Sequence, residues 1–272
     1  MKPIDRIIIS FLILVISNVV LANSKINSAL DSLYREAQRE FYKQNYTGSL
    51  TLLEKYLTES KNKKYKEERL FWVIDQIGRI YLRVKRNPDA SIKFFEKVLK
   101  DKMLNDAHED DLMAWLNAAK DWKKYSKMPK TVTNPEELFE IGKLFYDKAN
   151  QKKSHPADVA GNAYYSIAKA YLMYFLINNE KHPKVGIALF MVGDIQSNIK
   201  TDPDYWIENF YLKEVIRRYP NTKLALKAYK KLEEDIYLGY TGSSGNNTPP
   251  SIKRMLRSYK KLAEPKGKKV AK

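Results

Sequence analysis

Three histidines and no cysteine are all that this 272-residue chain offers to a metal site or nucleophile of the usual kind. His108, His155 and His182 are far apart, none has a second histidine four residues away, and His155 and His182 each precede a proline, which marks loop positions. The missing cysteine excludes a disulfide framework, thiolate zinc sites, c-type haem attachment, a cysteine nucleophile and a lipid-bearing N-terminal cysteine. Glu109, Asp110 and Asp111 beside His108 suggest a metal or proton-transfer site, but successive helical residues point about 100° apart and cannot converge. They suit instead the electropositive first turn of a helix that runs into Leu112. The glycines from Gly242 to Gly245 precede a helix, where backbone amides can cradle a phosphate. No lysine follows at the spacing of a nucleotide-binding loop and no strand leads in, so a helix stop with Thr248 as cap and Pro249 in the next first turn fits better. With no Ser/His/Asp order, paired glutamates or nucleotide fingerprint, the chain is not expected to be an enzyme or to hold a cofactor or metal.

The elements that would position any site are helices. Hydrophobic residues make up 44% of the chain and aromatics 12%, enough for a core, while 10 Gly and 11 Pro are too few for a many-turned sheet sandwich. Lys and Arg number 49 against 32 Asp and Glu, a formal net charge of +17. Nearly half of that excess stands at the C-terminal end, where Lys253, Arg254, Arg257, Lys260, Lys261, Lys266, Lys268, Lys269 and Lys272 face Glu264 alone. Such an end suits anionic lipid headgroups, lipopolysaccharide phosphates or an acidic partner, and equally a solvated tail.

The start of the chain reads as an address. Lys2 and Arg6 precede an apolar run over 7–21, fifteen residues and too short to span a bilayer comfortably, that ends in Val20-Leu21-Ala22. The expectation is a signal peptide over 1–22 cleaved after Ala22 and a periplasmic mature protein, with an uncleaved inner-membrane anchor as the alternative. Export removes nucleic acid as the natural explanation of the positive charge.

Apolar spacing predicts helix pairs. Over 28–44, Leu30, Leu33, Ala37 and Phe41 share one face, and over 47–58 Leu50, Leu53 and Leu57 share another after a short break, an antiparallel hairpin. A second hairpin follows, with Leu70, Ile74, Ile77 and Tyr81, then Asn87-Pro88, then Ala90, Phe94 and Val98 as the inner face of its second helix. Leu33, Ala37, Ser49 and Leu53 lie 41 residues before Ile74, Gly78, Ala90 and Phe94, so the hairpin repeats. Gly78 and Ala90 are placed where the two helices touch, with Tyr81 and Phe94 filling the space beside them. Leu138, Ile141-Gly142 and Phe145 repeat the first half of the unit, as do Leu189 and Val192-Gly193. The stretch 157–178, rich in Tyr and Ala, reads as a long buried helix, and 205–218 as another closed by Tyr219-Pro220-Asn221.

The order Ile74, Ile77-Gly78, Tyr81, Ala90 and Phe94 resembles a tetratricopeptide repeat. The run from Phe210 to Asn221 is similar to the repeats of envelope proteins related to the outer-membrane assembly lipoprotein BamD and the periplasmic coordinator CpoB. The resemblance implies an all-α fold, a right-handed superhelix of antiparallel helix pairs over 23–238, followed by a Gly/Ser/Pro loop over 239–250 and a basic helix and tail over 251–272. In that family the first helix of each pair lines the binding groove, which implies Trp72, Asp75, Arg79, Leu82 and Arg83 here, and Asp31, Tyr34, Gln38, Phe41 and Tyr42 in the preceding unit. The function implied is an exported scaffold that holds a peptide or helix of a protein partner in outer-membrane or cell-wall assembly. An envelope-polymer module that grips peptidoglycan or lipopolysaccharide through charge and aromatic stacking is the alternative.

Overall fold

The computed structural model describes residues 28–60, 67–104, 108–125, 127–153, 159–199, 209–243 and 245–265. The expected export signal over 1–22, His155, the first residues of the 157–178 and 205–218 segments, and the lysines from Lys266 onward lie outside these residues.

Among the described residues the chain is all-α. In order the helices are α1 (28–42), α2 (Tyr46–Ser60), α3 (Glu67–Arg79) continued by a π turn (Ile80–Val84), α4 (Pro88–Lys100), α5 (Glu109–Lys124), α6 (Pro135–Lys152), α7 (Asn162–Asn178), α8 (Val185–Asn198), α9 (Phe210–Arg218), α10 (Lys223–Gly239) and α11 (Pro250–Ala263). A two-residue antiparallel ladder, Thr241–Gly242 on Gly245–Asn246, joins α10 to α11. Several starts are set by local chemistry. Asn87 and Asn134 each accept a backbone N–H ahead of a proline in the first turn, and Thr222 Oγ1 accepts from Ala225 N at 3.1 Å.

Each helix packs on its successor in the pairs α2/α3, α3/α4, α4/α5, α6/α7, α7/α8, α8/α9, α9/α10 and α10/α11, and α5/α7, α6/α8, α8/α10 and α9/α11 touch one further on. In three pairs a glycine makes the close approach possible. A β-carbon at Gly78 would overlap the ring of Phe95, one at Gly142 would lie 2.8 Å from Leu172 Cγ, and one at Gly193 2.8 Å from Leu212 Cγ. The helix contact expected at Gly78 is therefore present, and Tyr81 and Phe94 lie beside it with ring centroids 5.9 Å apart.

The inner face of α4 differs from expectation by one residue. Ser91, Phe95 and Val98 are buried, whereas Ala90 and Phe94 are only half-buried. Ala90 instead gives its N–H to the Asn87 cap at 3.0 Å. The cause is the π turn. Lys85 N–H reaches Ile80 O and Asn87 N–H reaches Tyr81 O, so five residues separate buried Leu82 from Asn87 where four separate buried Phe41 from Asn45. One inserted residue moves every later position of the unit, and Ser49 and Leu53 correspond to Ser91 and Phe95, 42 residues on.

A third unit escaped the reading of the sequence. Trp115, Ala118, Ala119 and Trp122 follow Ile74, Ile77, Gly78 and Tyr81 by 41 residues, and all four are buried on α5. Contacts between next-but-one helices fall at a shorter interval: Asp31 with Arg69, Gln38 with Gln76, and Ser197 with Asp235 are each 38 apart. A constant separation along α1 and α3 means that they run parallel, offset by about one turn relative to their equivalent positions.

Helix α7 is apolar on almost every side because it lies against α5, α6, α8 and the end of α3, and Tyr171 within it accepts the indole N–H of Trp122 at 2.8 Å. At the other end, α11 buries Leu256, Tyr259 and Ala263 in the common core, so the basic segment is a packed helix and not only a tail. Its start corrects the expected cap: Pro249 occupies the cap position and Pro250 the first turn, while Thr248 Oγ1 bonds Asn246 Oδ1 at 2.5 Å.

Candidate functional site

The first helices of the first two units form one surface. Gln38 Nε2 donates to Gln76 Oε1 at 2.5 Å, Arg69 pairs with Asp31, and the Arg69 guanidinium lies 5.5 Å from the Tyr34 ring centre. Tyr34 also meets Tyr56 edge-on at 6.3 Å, and burial, with nearby Tyr42, holds its hydroxyl above the usual phenol pKa. These contacts hold Tyr34 and Gln38 half-buried in the seam between α1 and α3.

The implied groove residues divide by exposure. Tyr42 at 80% and Trp72 at 43% present their rings outward. Trp72 leans edge-on against Phe71 at 5.6 Å, and Phe71 in turn stacks on His108 at 4.2 Å, so the indole rests on an aromatic base that joins α3 to α5. Arg79 and Arg83 are half-buried. Asp75 and Leu82 are buried, at 6% and 1%, and do not offer contact area. Leu82 fills the core from the middle of the π turn, and Asp75 pairs with Arg79 one turn on and accepts a hydrogen bond from the Trp115 side chain. Burial pushes the Asp75 carboxyl above the usual range, against the pull of Arg79 and Trp115. The spacing over 72, 75, 79, 82 and 83 does not show that α5 covers part of this face; the third unit at Trp115 is the sequence signal that does.

The other sites considered in the sequence resolve simply. Glu109, Asp110 and Asp111 occupy the first turn of α5, and among the described residues no three His, Asp or Glu side chains stand close enough to share a metal ion. His182 lies in the loop before α8, accepts Lys184 N–H at 3.2 Å and faces Glu136 at 3.6 Å. A polar cluster links α6, α8 and α10: Tyr146 donates to Asp194 at 2.5 Å, Ser197 to Asp235, and Lys231 sits 3.7 Å from Asp194 and 3.4 Å from Asp235. Burial would lower the Lys231 pKa, but Asp235, Asp194 and Glu234 together keep it raised, and burial raises Asp235. These groups satisfy one another and act as a lateral strut. A cleft of about 330 Å³ between α2 and α4 is walled by Leu57, Phe94, Val98 and Met103, with Glu54, Thr58 and Lys97 at its polar edge.

No helix among the described residues is long and apolar enough to cross a membrane. Comparison with protein-family models, with curated proteins and with solved structures finds no match to this chain.

Proposed function

We propose that the chain is an exported scaffold of tetratricopeptide type, wound as a right-handed superhelix, whose α1/α3 face holds a peptide or helix of a partner protein. The observation that carries the reading is Trp72. It keeps 43% of its surface in solvent while Val73 and Ile74 beside it are fully buried, and it stands on the Phe71/His108 stack on a helix parallel to the one that bears Tyr42. A rigidly backed aromatic is the residue type that most often dominates binding energy at an interface. The repeat spacing and the glycine contacts support the superhelix, because stacking equal hairpins in parallel with a constant offset generates one.

The place proposed for it is the cell envelope, with export by residues 1–22, cleavage after Ala22 and service in outer-membrane or cell-wall assembly; N-terminal sequencing of the fractionated protein tests the export step. The binding step is tested with a photocrosslinking amino acid placed in cells at Tyr42, at Trp72 and, as control, at exposed Lys93 on α4. Discrete protein adducts at 42 and 72 but not at 93 are expected. Equal adducts at all three, or none, would remove the reading.

A further inference from the structure

The outward side of α11 carries five cations, and its geometry is specific. At 100° per residue, Lys260, Lys253, Arg257, Lys261 and Arg254 fall within an arc of about 120°, whose centre is turned about 130° from that of the arc that buries Leu256, Tyr259 and Ala263. Lys260 is 3.8 Å from Glu264. Lys253, Arg254, Arg257 and Lys261 form no ion pair among the described residues, whereas Arg217 and Arg218 at the end of α9 are both bound by Glu214. Asn221 N–H donates to Leu262 O at 2.8 Å and ties the turn between α9 and α10 to the last turn of α11, so Arg218 and Lys223 stand at the same end of the molecule. The sequence then continues with Lys266, Lys268, Lys269 and Lys272.

We infer that this stripe is a docking surface for a membrane rich in anionic phospholipid headgroups. Four cations on one side of a helix match a plane of phosphates, and no carboxylate among the described residues neutralises their charge. A single-stranded nucleic acid is the competing polyanion, and the side chains disfavour it. Nucleic-acid surfaces interleave cations with aromatic rings on which bases stack, and the cationic arc of α11 holds no aromatic side chain, since the one aromatic of the helix, Tyr259, is turned into the core. Because the apolar face of α11 is already spent on α9 and α10, the contact is electrostatic and resting, not inserted. The inference stands apart from the reading of the α1/α3 face and uses none of its residues.

The test is cosedimentation of the full chain with vesicles of phosphatidylglycerol in phosphatidylcholine and with pure phosphatidylcholine vesicles, alongside a fluorescent single-stranded oligonucleotide. The K253Q/R254Q/R257Q/K261Q variant keeps the same N-terminal segment, so any contribution of residues 1–22 cancels. The expected result is preference of the parent chain for the anionic vesicles, lost at about 0.5 M salt, and about a tenfold or greater loss of that preference in the variant with its circular dichroism melt unchanged. Should the variant not fold, R257Q/K261Q replaces it, with a smaller loss expected. Undiminished binding by the folded variant overturns the inference, as does oligonucleotide binding that equals or exceeds vesicle binding.

Discussion

The ring of Phe95 on α4 occupies the space that a β-carbon on Gly78 would take, with Phe95 Cε2 3.0 Å from that position. The pair sets the distance between α3 and α4, and the ring cannot retreat freely because it is fully buried and stacks with Trp115 of α5 at 6.1 Å.

Gly78→Ala should therefore destabilise the protein by about 1–3 kcal/mol through overpacking. Combined with Phe95→Leu, the cost should fall below the sum of the two single changes, since the smaller side chain vacates the contested volume. Urea denaturation of the four proteins measures this, and simple additivity would mean that the two positions do not meet.

Ser49 and Ser91 occupy equivalent places in their units, both fully buried, and neither hydroxyl has a hydrogen-bond partner among the described residues. A buried hydroxyl without a partner costs more than the methyl that could replace it. Ser49→Ala and Ser91→Ala should each leave stability unchanged or raise it by about 1 kcal/mol. A clear drop in thermal melting temperature for either would show that the hydroxyl is engaged.

The exposed and the buried members of the α1/α3 face should part company on substitution. Tyr42→Ala with Trp72→Ala should reduce partner capture while leaving the helical signal and the melt intact, because both rings project from the core. Arg79→Ala should instead lower stability by about 3 kcal/mol, since it strips the guanidinium from the buried carboxylate of Asp75. Capture assays run beside circular dichroism separate the two outcomes, and capture that survives loss of both aromatics counts against the proposed face.

Alkaline pH should unfold the chain through its tyrosines. Burial raises Tyr81, Tyr164 and Tyr171 to about 12 from the ordinary 10.0, assisted for Tyr81 by Glu54 and for Tyr164 by Asp121. Between those values the folded state holds protons that the unfolded state has lost, so the stability these groups supply is complete below pH 10 and disappears as pH rises toward 12. Tyrosinate absorbance should lag at first and then rise together with loss of helical circular dichroism. A tyrosinate titration complete near pH 10 in a still-folded protein would contradict this burial.

Trp122→Phe should cost about 1–2 kcal/mol. The indole N–H that meets Tyr171 would be lost, although the Tyr171 hydroxyl still donates to Lys127 O at 2.5 Å and keeps its own place. Tryptophan fluorescence and a thermal melt of the variant measure it.

The all-helical class was legible in local chemistry. Apolar side chains three and four apart, prolines one residue after a capping asparagine and few glycines predict helices and most of their ends, and these depend on neighbours in sequence alone. Gly78 was legible as a close-contact position through the repeat, and Gly142 and Gly193 stand at the same place in its partial copies. The register of α4 was not. The extra residue is absorbed by backbone bonds that skip a position within the π turn, and no side-chain pattern records it, so Ala90 and Phe94 were read where Ser91 and Phe95 pack. The third unit on α5 was legible at the same 41-residue interval but hidden by its bulk, with tryptophans at Trp115 and Trp122 where the preceding unit has Ile74 and Tyr81.

By itself the sequence determined that the chain builds helices, that they recur, and which stripe of α1, α2 and α3 turns inward, because helix formation and amphipathic burial act over a few neighbouring residues. Which members of the outward stripe stay outward was decided by tertiary structure alone. Asp75 and Leu82 share the spacing of Trp72 and Arg79, but the π turn draws Leu82 into the core and Trp115 from the next unit covers Asp75. Exposure is a property of what packs beside a helix, and the neighbour that decides it lies 40 residues away in the chain.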